Sequence, residues 1–356
     1  MRMKLKYFIY TNQLYIKDDI KTSADDTGQR HTKIAHSIKA QWFKYTDQYH
    51  DTILEIHFFR TGSALIDNRL LDFEVQLSTL TNAELLAVTS NNQTVIYKFK
   101  TRESKEPYQW VLTDNVDTDL TNRQIKLSKY HDWNLNEIAS IGIFGTSGSG
   151  KSRMSYYIIN QMMTVTNKEN IYICDPKSDE LAIYCSTIFN LPNVADDYET
   201  ITSYIDKTYK LMSKRYNERK KFALENKGKI KHYPPVFLVI DEIAALKLFD
   251  KKAFANAETQ LKQIALMGRA CGVHMLLICQ RPSVESIPAD IRDQLKLRIL
   301  LGNPANAETF KMAMGESRDK NQILEKKRGE GYILIDGKQG IDHFKAPFIQ
   351  THDEVA

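Results

Sequence analysis

Gly145-Thr-Ser-Gly-Ser-Gly-Lys-Ser152 is the stretch on which the reading of this chain turns. Its eight residues fill the pattern GxxxxGK[ST] completely. The apolar run Ile141–Phe144 precedes it and reads as a buried strand, while residues 152–165 read as a helix. A chance Gly/Ser-rich turn would not bring both neighbours with it. The glycines let backbone N–H groups converge on phosphate oxygens. The helix start adds partial positive charge. In this pattern Lys151 is expected to reach the β- and γ-phosphates and Ser152 to ligate Mg²⁺. Gly145, Thr146, Ser147, Gly148, Ser149, Gly150, Lys151, Ser152 and Arg153 are therefore the expected nucleotide-binding residues, with ATP and Mg²⁺ as cofactors.

Downstream, Val236–Glu242 reads Val-Phe-Leu-Val-Ile-Asp-Glu, an apolar strand ending in two carboxylates. Carboxylates at the carboxyl end of a buried strand sit where α/β sheets place ligands. Asp241 is expected to hold Mg²⁺ through water, and Glu242 to orient and polarise the attacking water. Gln280 ends the next apolar run, Met275–Cys279, where it can sense the γ-phosphate. Lys151, Asp241, Glu242 and Gln280 are the candidate catalytic set, with Ser152 and Asp241 at the metal. Further apolar runs, Ile171–Cys174 and Leu297–Leu301, alternate with helical stretches at 201–225 and 258–270. Buried strands alternating with helices predict a mostly parallel sheet covered on both faces.

Residues 1–118 have a different texture. Leu5–Ile16, Thr52–Phe59, Leu70–Leu77 and Thr94–Phe99 are rich in aromatic and β-branched residues with partial period-two alternation, and read as strands. Asn91-Asn92 reads as a hairpin turn, and Asp19–Arg30 as a polar loop. The expected organisation is a β-rich accessory domain over 1–118 and a P-loop ATPase domain over 119–356.

The bulk numbers set limits. The 356 residues are 42% hydrophobic and 26% charged, which suffices for one large core or two ordinary ones. A net charge of +5 permits a nucleic-acid partner without demanding one. Cys174, Cys185, Cys271 and Cys279 form no CxxC pair, which argues against zinc and fits a reducing compartment. No apolar run approaches the ~20 residues a membrane-spanning helix needs. No signal peptide or membrane anchor is expected, and the expected location is the cytoplasm.

Several further stretches occur in order: Asp175-Pro-Lys177 with Glu180-Leu181, Ser213-Lys-Arg-Tyr216, Ile240-Asp-Glu-Ile-Ala-Ala-Leu246, Gly268-Arg-Ala-Cys-Gly-Val-His274 and Cys279-Gln-Arg-Pro-Ser-Val284. With the P-loop, they resemble the motor domain of the FtsK/SpoIIIE family across residues 120–340. The resemblance implies a RecA-like core, a homo-oligomeric ring that is usually a hexamer, and ATP-driven movement of double-stranded DNA. It also implies a role in plasmid or mobile-element DNA transfer and maintenance, with a relaxase, replication protein or membrane transfer channel as partner. The winged-helix reader of many members has no counterpart before Ala356, and Gly329-Glu-Gly331 matches the family's Gly-rich turn only loosely.

A positive charge supplied across a subunit boundary can neutralise a transferring phosphoryl group. Arg269, Arg298 and Arg328 are the candidates, each of which is also readable as a surface ion pair. Non-specific duplex binding needs Lys and Arg at phosphates. Lys227, Lys229 and Lys231 form one candidate DNA-binding run, and Arg281 and Arg292 flank another loop. A single-strand helicase would favour stacking aromatics in such loops, and only Tyr233 is near. A nucleotide-dependent adaptor is the third reading, against which Glu242 speaks.

Overall fold

The computed structural model describes residues 1–19, 32–48, 51–102, 109–111, 116–249, 251–283, 286–304, 306–316, 326–338 and 340–350. These fall into two compact units, residues 1–107 with 321–324 and 339–342, and residues 108–320 with 325–338 and 343–356.

The first unit begins with helix α1 (Arg2–Thr11) and the hairpin of β1 (Tyr15–Asp19) and β2 (Thr32–Ser37). An antiparallel sheet of order β3-β4-β6-β5 follows, from β3 (Lys39–Thr46), β4 (Thr52–Phe59), β5 (Glu84–Ser90) and β6 (Thr94–Arg102). Between β4 and β5 lie α2 (Ala64–Asp67) and α3 (Glu74–Thr81). Two expected strands are helical. Leu5–Ile16 is mostly α1, and Leu70–Leu77 is the end of a 3-10 turn plus the start of α3. In both, apolar residues three to four apart decide the outcome over aromatic richness: Leu5 and Phe8, then Leu70, Phe73 and Leu77, are all buried in one core with Ile56, Phe58 and Tyr97. The Asn91 turn does join β5 to β6, its carboxamide oxygen accepting from the N–H groups of Gln93 and Thr94. The polar loop read at Asp19–Arg30 lies, beyond Asp19, outside the described residues.

The second unit holds the remaining strands: β7 (Gln109–Val111), β8 (Gln124–Lys126), β9 (Asp132–Asn134), β10 (Ser140–Gly145), β11 (Ile171–Cys174), β12 (Val194–Ala195), β13 (Val236–Asp241), β14 (Val273–Cys279), β15 (Leu295–Leu301), β16 (Glu330–Ile335), β17 (Asp342–Lys345) and β18 (Phe348–Gln350). Its helices are α4 (Lys151–Met163), α5 (Glu180–Thr187), α6 (Tyr198–Glu225), α7 (Ile243–Phe249), α8 (Lys251–Met267), α9 (Ala289–Gln294) and α10 (Ala307–Met314). Eight strands form one sheet of order β12-β11-β13-β14-β10-β15-β16-β17. It is parallel from β12 to β15 and turns antiparallel at β16. Among the described residues, no helix is long and apolar enough to cross a membrane.

Central strands β10, β13 and β14 are buried along nearly their whole length, which explains their continuous apolar sequences. Ile143, Met154, Ile158, Ile278 and Leu297 share one core cluster that seats α4 on the sheet. Each such side chain contributes about 1.5–3 kcal/mol on full burial.

The Gly268–His274 stretch proves to be a packing device. α8 runs into a 3-10 turn at Gly268–Cys271, and Gly272 at φ +64° reverses the chain into β14. A Cβ on Gly268 would lie 2.4 Å from the Val273 carbonyl oxygen. Half-buried Arg215, from α6, donates to the carbonyls of Pro234 and Cys271, each at 3.0 Å. His274 is buried with its ring between Trp133 and Phe237. Burial pushes its pKa down to about 4. Between pH 4 and the ordinary 6.5 the unfolded chain binds the proton and the folded chain does not. This contribution to stability is thus complete above pH 6.5 and is lost as pH falls toward 4, by roughly 3 kcal/mol in full. Urea midpoints across pH 4.5–7.5 should show His274→Phe flattening the acid limb relative to wild type; an unchanged slope would refute the assignment.

Candidate active site

The sheet order brings the chemistry to one edge. β14 lies between the P-loop strand β10 and the acidic strand β13, with Phe144 opposite Cys279 and Asp241 opposite Ile278. Gly145, Gln280 and the Asp241–Glu242 pair therefore leave the same carboxyl edge at nearly the same level. On the far side of β13, Cys174 pairs with Ile240, which sets Asp175 beside Asp241.

The P-loop needs its glycines for particular reasons. Gly148 and Gly150 have φ of +79° and +104°. Gly145 has φ +151°, and a Cβ there would meet the Leu301 carbonyl oxygen at 2.5 Å and Ser149 Oγ at 2.7 Å. Gly302, not singled out in the sequence, and Gly329, read there only as part of a loose Gly-rich turn, brace the loop from behind. A Cβ on Gly302 would lie 2.9 Å from Ser149 Cβ, and the Gly329 N–H donates to the Ser149 carbonyl at 2.9 Å. Positive φ values at Gly302 and Gly329 mark turns that composition alone does not distinguish from ordinary loops.

Lys151 starts α4 and donates to the Thr146 carbonyl at 3.2 Å. Burial lowers its pKa, against the pull of Asp241 and Glu242. Asp241 is shifted the other way, up to about 6, first by burial and then by Asp175 and Glu242, with Lys177 and Lys151 opposing. Glu242 sits at φ +51°, a left-handed conformation uncommon for a side-chain-bearing residue. One of its carboxylate oxygens accepts from the Gln280 N–H at 3.1 Å and lies 3.6 Å from Lys177 Nζ. Strained non-glycine backbone concentrates where function over-determines it.

These residues fit a nucleotide and a divalent cation. Ser149 Oγ is buried without a hydrogen-bond partner, at the back of the cradle. Ser152 is exposed at the start of α4. Asp241 is largely buried beside Asp175 and Glu242, a setting in which a bound cation would offset the cost of its charge. No cluster of three metal-ligating side chains occurs among the described residues. Mg²⁺ keeps several waters and binds one or two protein ligands plus phosphate oxygens, so Ser152 and Asp241 would suffice to hold it.

The other candidates are scattered. Arg153 donates to the Ile349 carbonyl at 3.0 Å, which engages its guanidinium within the chain. Arg298 is engaged by the carbonyls of Leu295 and Arg292, and Arg292 by that of Pro282. Arg328 is exposed, its Cγ 3.8 Å from where a Cβ on Gly150 would stand, beside the P-loop of its own chain. Arg269 is exposed before β14, at the opposite edge of the sheet, and donates to the Glu137 carbonyl at 3.2 Å. Lys227 and Lys229 are exposed in the loop leading to β13, also at that opposite edge, whereas Lys231 pairs with Glu218 at 3.3 Å. Arg281 stands exposed just past Gln280, on the nucleotide edge.

A sequence profile of the FtsK/SpoIIIE family matches residues 218–284. The chain is 24% identical over 356 residues to the FtsK domain-containing protein YdcQ of Bacillus subtilis, covering 98% of itself and 70% of that protein. It is 26% identical over 239 residues to the DNA translocase FtsK of Helicobacter pylori strain J99, covering 62% of itself and 26% of that protein. The chain thus spans about a quarter of the length of such translocases. Among solved structures, the pCW3 conjugation coupling protein TcpA, as a monomer with ATPγS, superimposes with a TM-score of 0.53 at 17% identity, over 88% of this chain and 89% of that one. The cytoplasmic domain of EssC gives 0.50 at 16% identity, over 64% and 44%.

Proposed function

We propose that this chain, an ATPase of the FtsK/SpoIIIE type, is a motor that moves double-stranded DNA. The observation that carries the reading is the convergence of the P-loop, Asp241, Glu242 and Gln280 on one sheet edge. The Gly145–Ser152 backbone and Lys151 bind and orient the phosphates, and Asp241 with Ser152 positions the bound Mg²⁺. That ion supplies charge neutralisation at the phosphoryl group. Glu242 holds the attacking water, and Gln280 reports on the phosphate end. The motor unit is taken as residues 119–356 and the accessory domain as 1–118.

In this reading the motor works as a ring, with six subunits the usual family number, and the boundaries complete each site. Arg269 is the favoured residue for reaching a neighbour's nucleotide, because it is exposed at the sheet edge away from its own P-loop. Lys227 and Lys229 are the favoured contacts to duplex phosphates. Relatives named as DNA translocases and the likeness to a conjugation coupling protein support a role in plasmid or mobile-element DNA transfer. A cytoplasmic location and a relaxase, replication protein or membrane channel as partner belong to the same reading.

The test is ATP hydrolysis with linear duplex DNA, with single-stranded DNA and with neither, using Lys151→Ala as the blank. Duplex should raise the rate roughly ten-fold or more, the scale of strong site-to-site coupling. Stimulation by single strands alone would transfer the protein to the helicases. No response to either would leave a partner-activated ATPase or adaptor.

A further inference from the structure

Lys177 stands in the Asp175-Pro176-Lys177 turn, and the structure gives this turn an unusual rigidity. Asp175 is fully buried. Its carboxylate accepts from the N–H groups of Lys177 at 3.2 Å, Asp179 at 3.0 Å and Ala182 at 3.1 Å. The turn is thereby fixed to the start of α5, and the Asp175 carboxylate is occupied by backbone. The Lys177 ammonium instead faces Glu242, with Nζ 3.6 Å from Oε2. The same oxygen already accepts the Gln280 N–H. One oxygen of the water-activating carboxylate is therefore held from two sides, by a cation and by a backbone donor.

Such a carboxylate has a fixed direction, and that oxygen must leave both holders before it can turn toward a water. Lys177 is 38% exposed and Glu242 13%, so the contact is partly desolvated. The positive charge of Lys177 also acts on Lys151, which places it within electrostatic reach of the phosphate cradle. A triphosphate seated in that cradle brings several negative charges that compete with Glu242 for the Lys177 ammonium.

We propose that Lys177 is a positioning residue that restrains Glu242 in the DNA-free subunit, a hold that bound phosphates weaken but do not abolish by competing for its ammonium. The device rests on Glu242 as the water-activating group. It keeps DNA-free hydrolysis low, and it places the restraint in the turn after β11, the strand next to the acidic one.

The experiment compares wild type, Lys177→Ala, Lys177→Met, Lys177→Arg and Glu242→Gln in steady-state ATP hydrolysis, over a range of ATP concentrations, without DNA and with saturating duplex. Removing the restraint should raise the DNA-free kcat of Lys177→Ala about three- to ten-fold with KM within about two-fold. The ratio of rates with and without duplex should shrink, and Lys177→Arg should behave as wild type. Lys177→Met keeps the aliphatic stem and should repeat the result if the alanine variant melts early. A fall in DNA-free kcat, no change, or a rise in KM alone would overturn the restraint and leave Lys177 as a phosphate ligand or a structural residue. Full activity in Glu242→Gln would instead remove the reading of the site itself, and the two failures are told apart because the DNA-free rates need no DNA partner.

Discussion

Glu242→Gln should abolish turnover while leaving ATP bound. The expected loss in kcat is about 10²–10³-fold, the usual contribution of a positioned general base together with its electrostatic surroundings. The amide has the same shape as the carboxylate, and its oxygen can still accept the Gln280 N–H, so neither the strand end nor the α7 start should move. In the proposed site the phosphates are held by the P-loop and Lys151, which the substitution does not touch. Equilibrium binding of Mg²⁺·ATP should therefore change less than about three-fold. Lys151→Ala should show the opposite balance, losing affinity as well as rate. A Glu242→Gln variant that still hydrolyses ATP near the wild-type rate would remove Glu242 from the chemistry.

The second large effect is on stability. Gly331→Ala should destabilise the second unit by about 3 kcal/mol or more. Gly331 is buried in β16, opposite Leu301 of β15. A Cβ there would lie 1.9 Å from the Leu300 carbonyl oxygen and 2.9 Å from Leu301 Cα. Both contacts are backbone, which cannot swing aside as a flexible side chain would, so the β15–β16 pairing must open. β15 in turn flanks β10. A urea midpoint equal to wild type would show that the strands can part at little cost. Nucleotide affinity in the surviving folded fraction should also fall, because Gly329, two residues earlier, braces the P-loop through the Ser149 carbonyl.

The parallel sheet was legible because its strands are buried on both faces. Ile171–Cys174 read from apolar composition alone coincides with β11, and the runs at 141–144, 236–240, 275–279 and 297–301 each fall inside a strand. The P-loop and its acidic partner were legible as contiguous motifs. The first unit was harder because its helices are short and α1 is aromatic. α1 and α3 carry their buried residues at helical spacing within segments that also alternate. The internal engagement of Arg153, Arg292 and Arg298 could not be read from sequence, because each hydrogen-bonds a backbone carbonyl, and carbonyls carry no residue signature. The bracing by Gly302 and Gly329 depends on positive φ and on close approach, both set by the tertiary fold. Lys177 was visible as part of a motif, but its pairing with Glu242 arises from the adjacency of β11 and β13, which only the strand order reveals.

The pairing pattern around β10 also governs how the chain can be made. Ser140–Gly145 finds its two neighbours in strands that begin at Val273 and Leu295. While the ribosome is still adding those residues, the P-loop strand has been synthesised but has nothing to pair with. Contacts so distant in sequence form slowly and late. The phosphate cradle thus waits on residues as far downstream as Gly302 and Gly329, which close it. A chain cut short before them would be an inert product, unable to hold ATP, and incapable of entering an assembly as a half-working subunit.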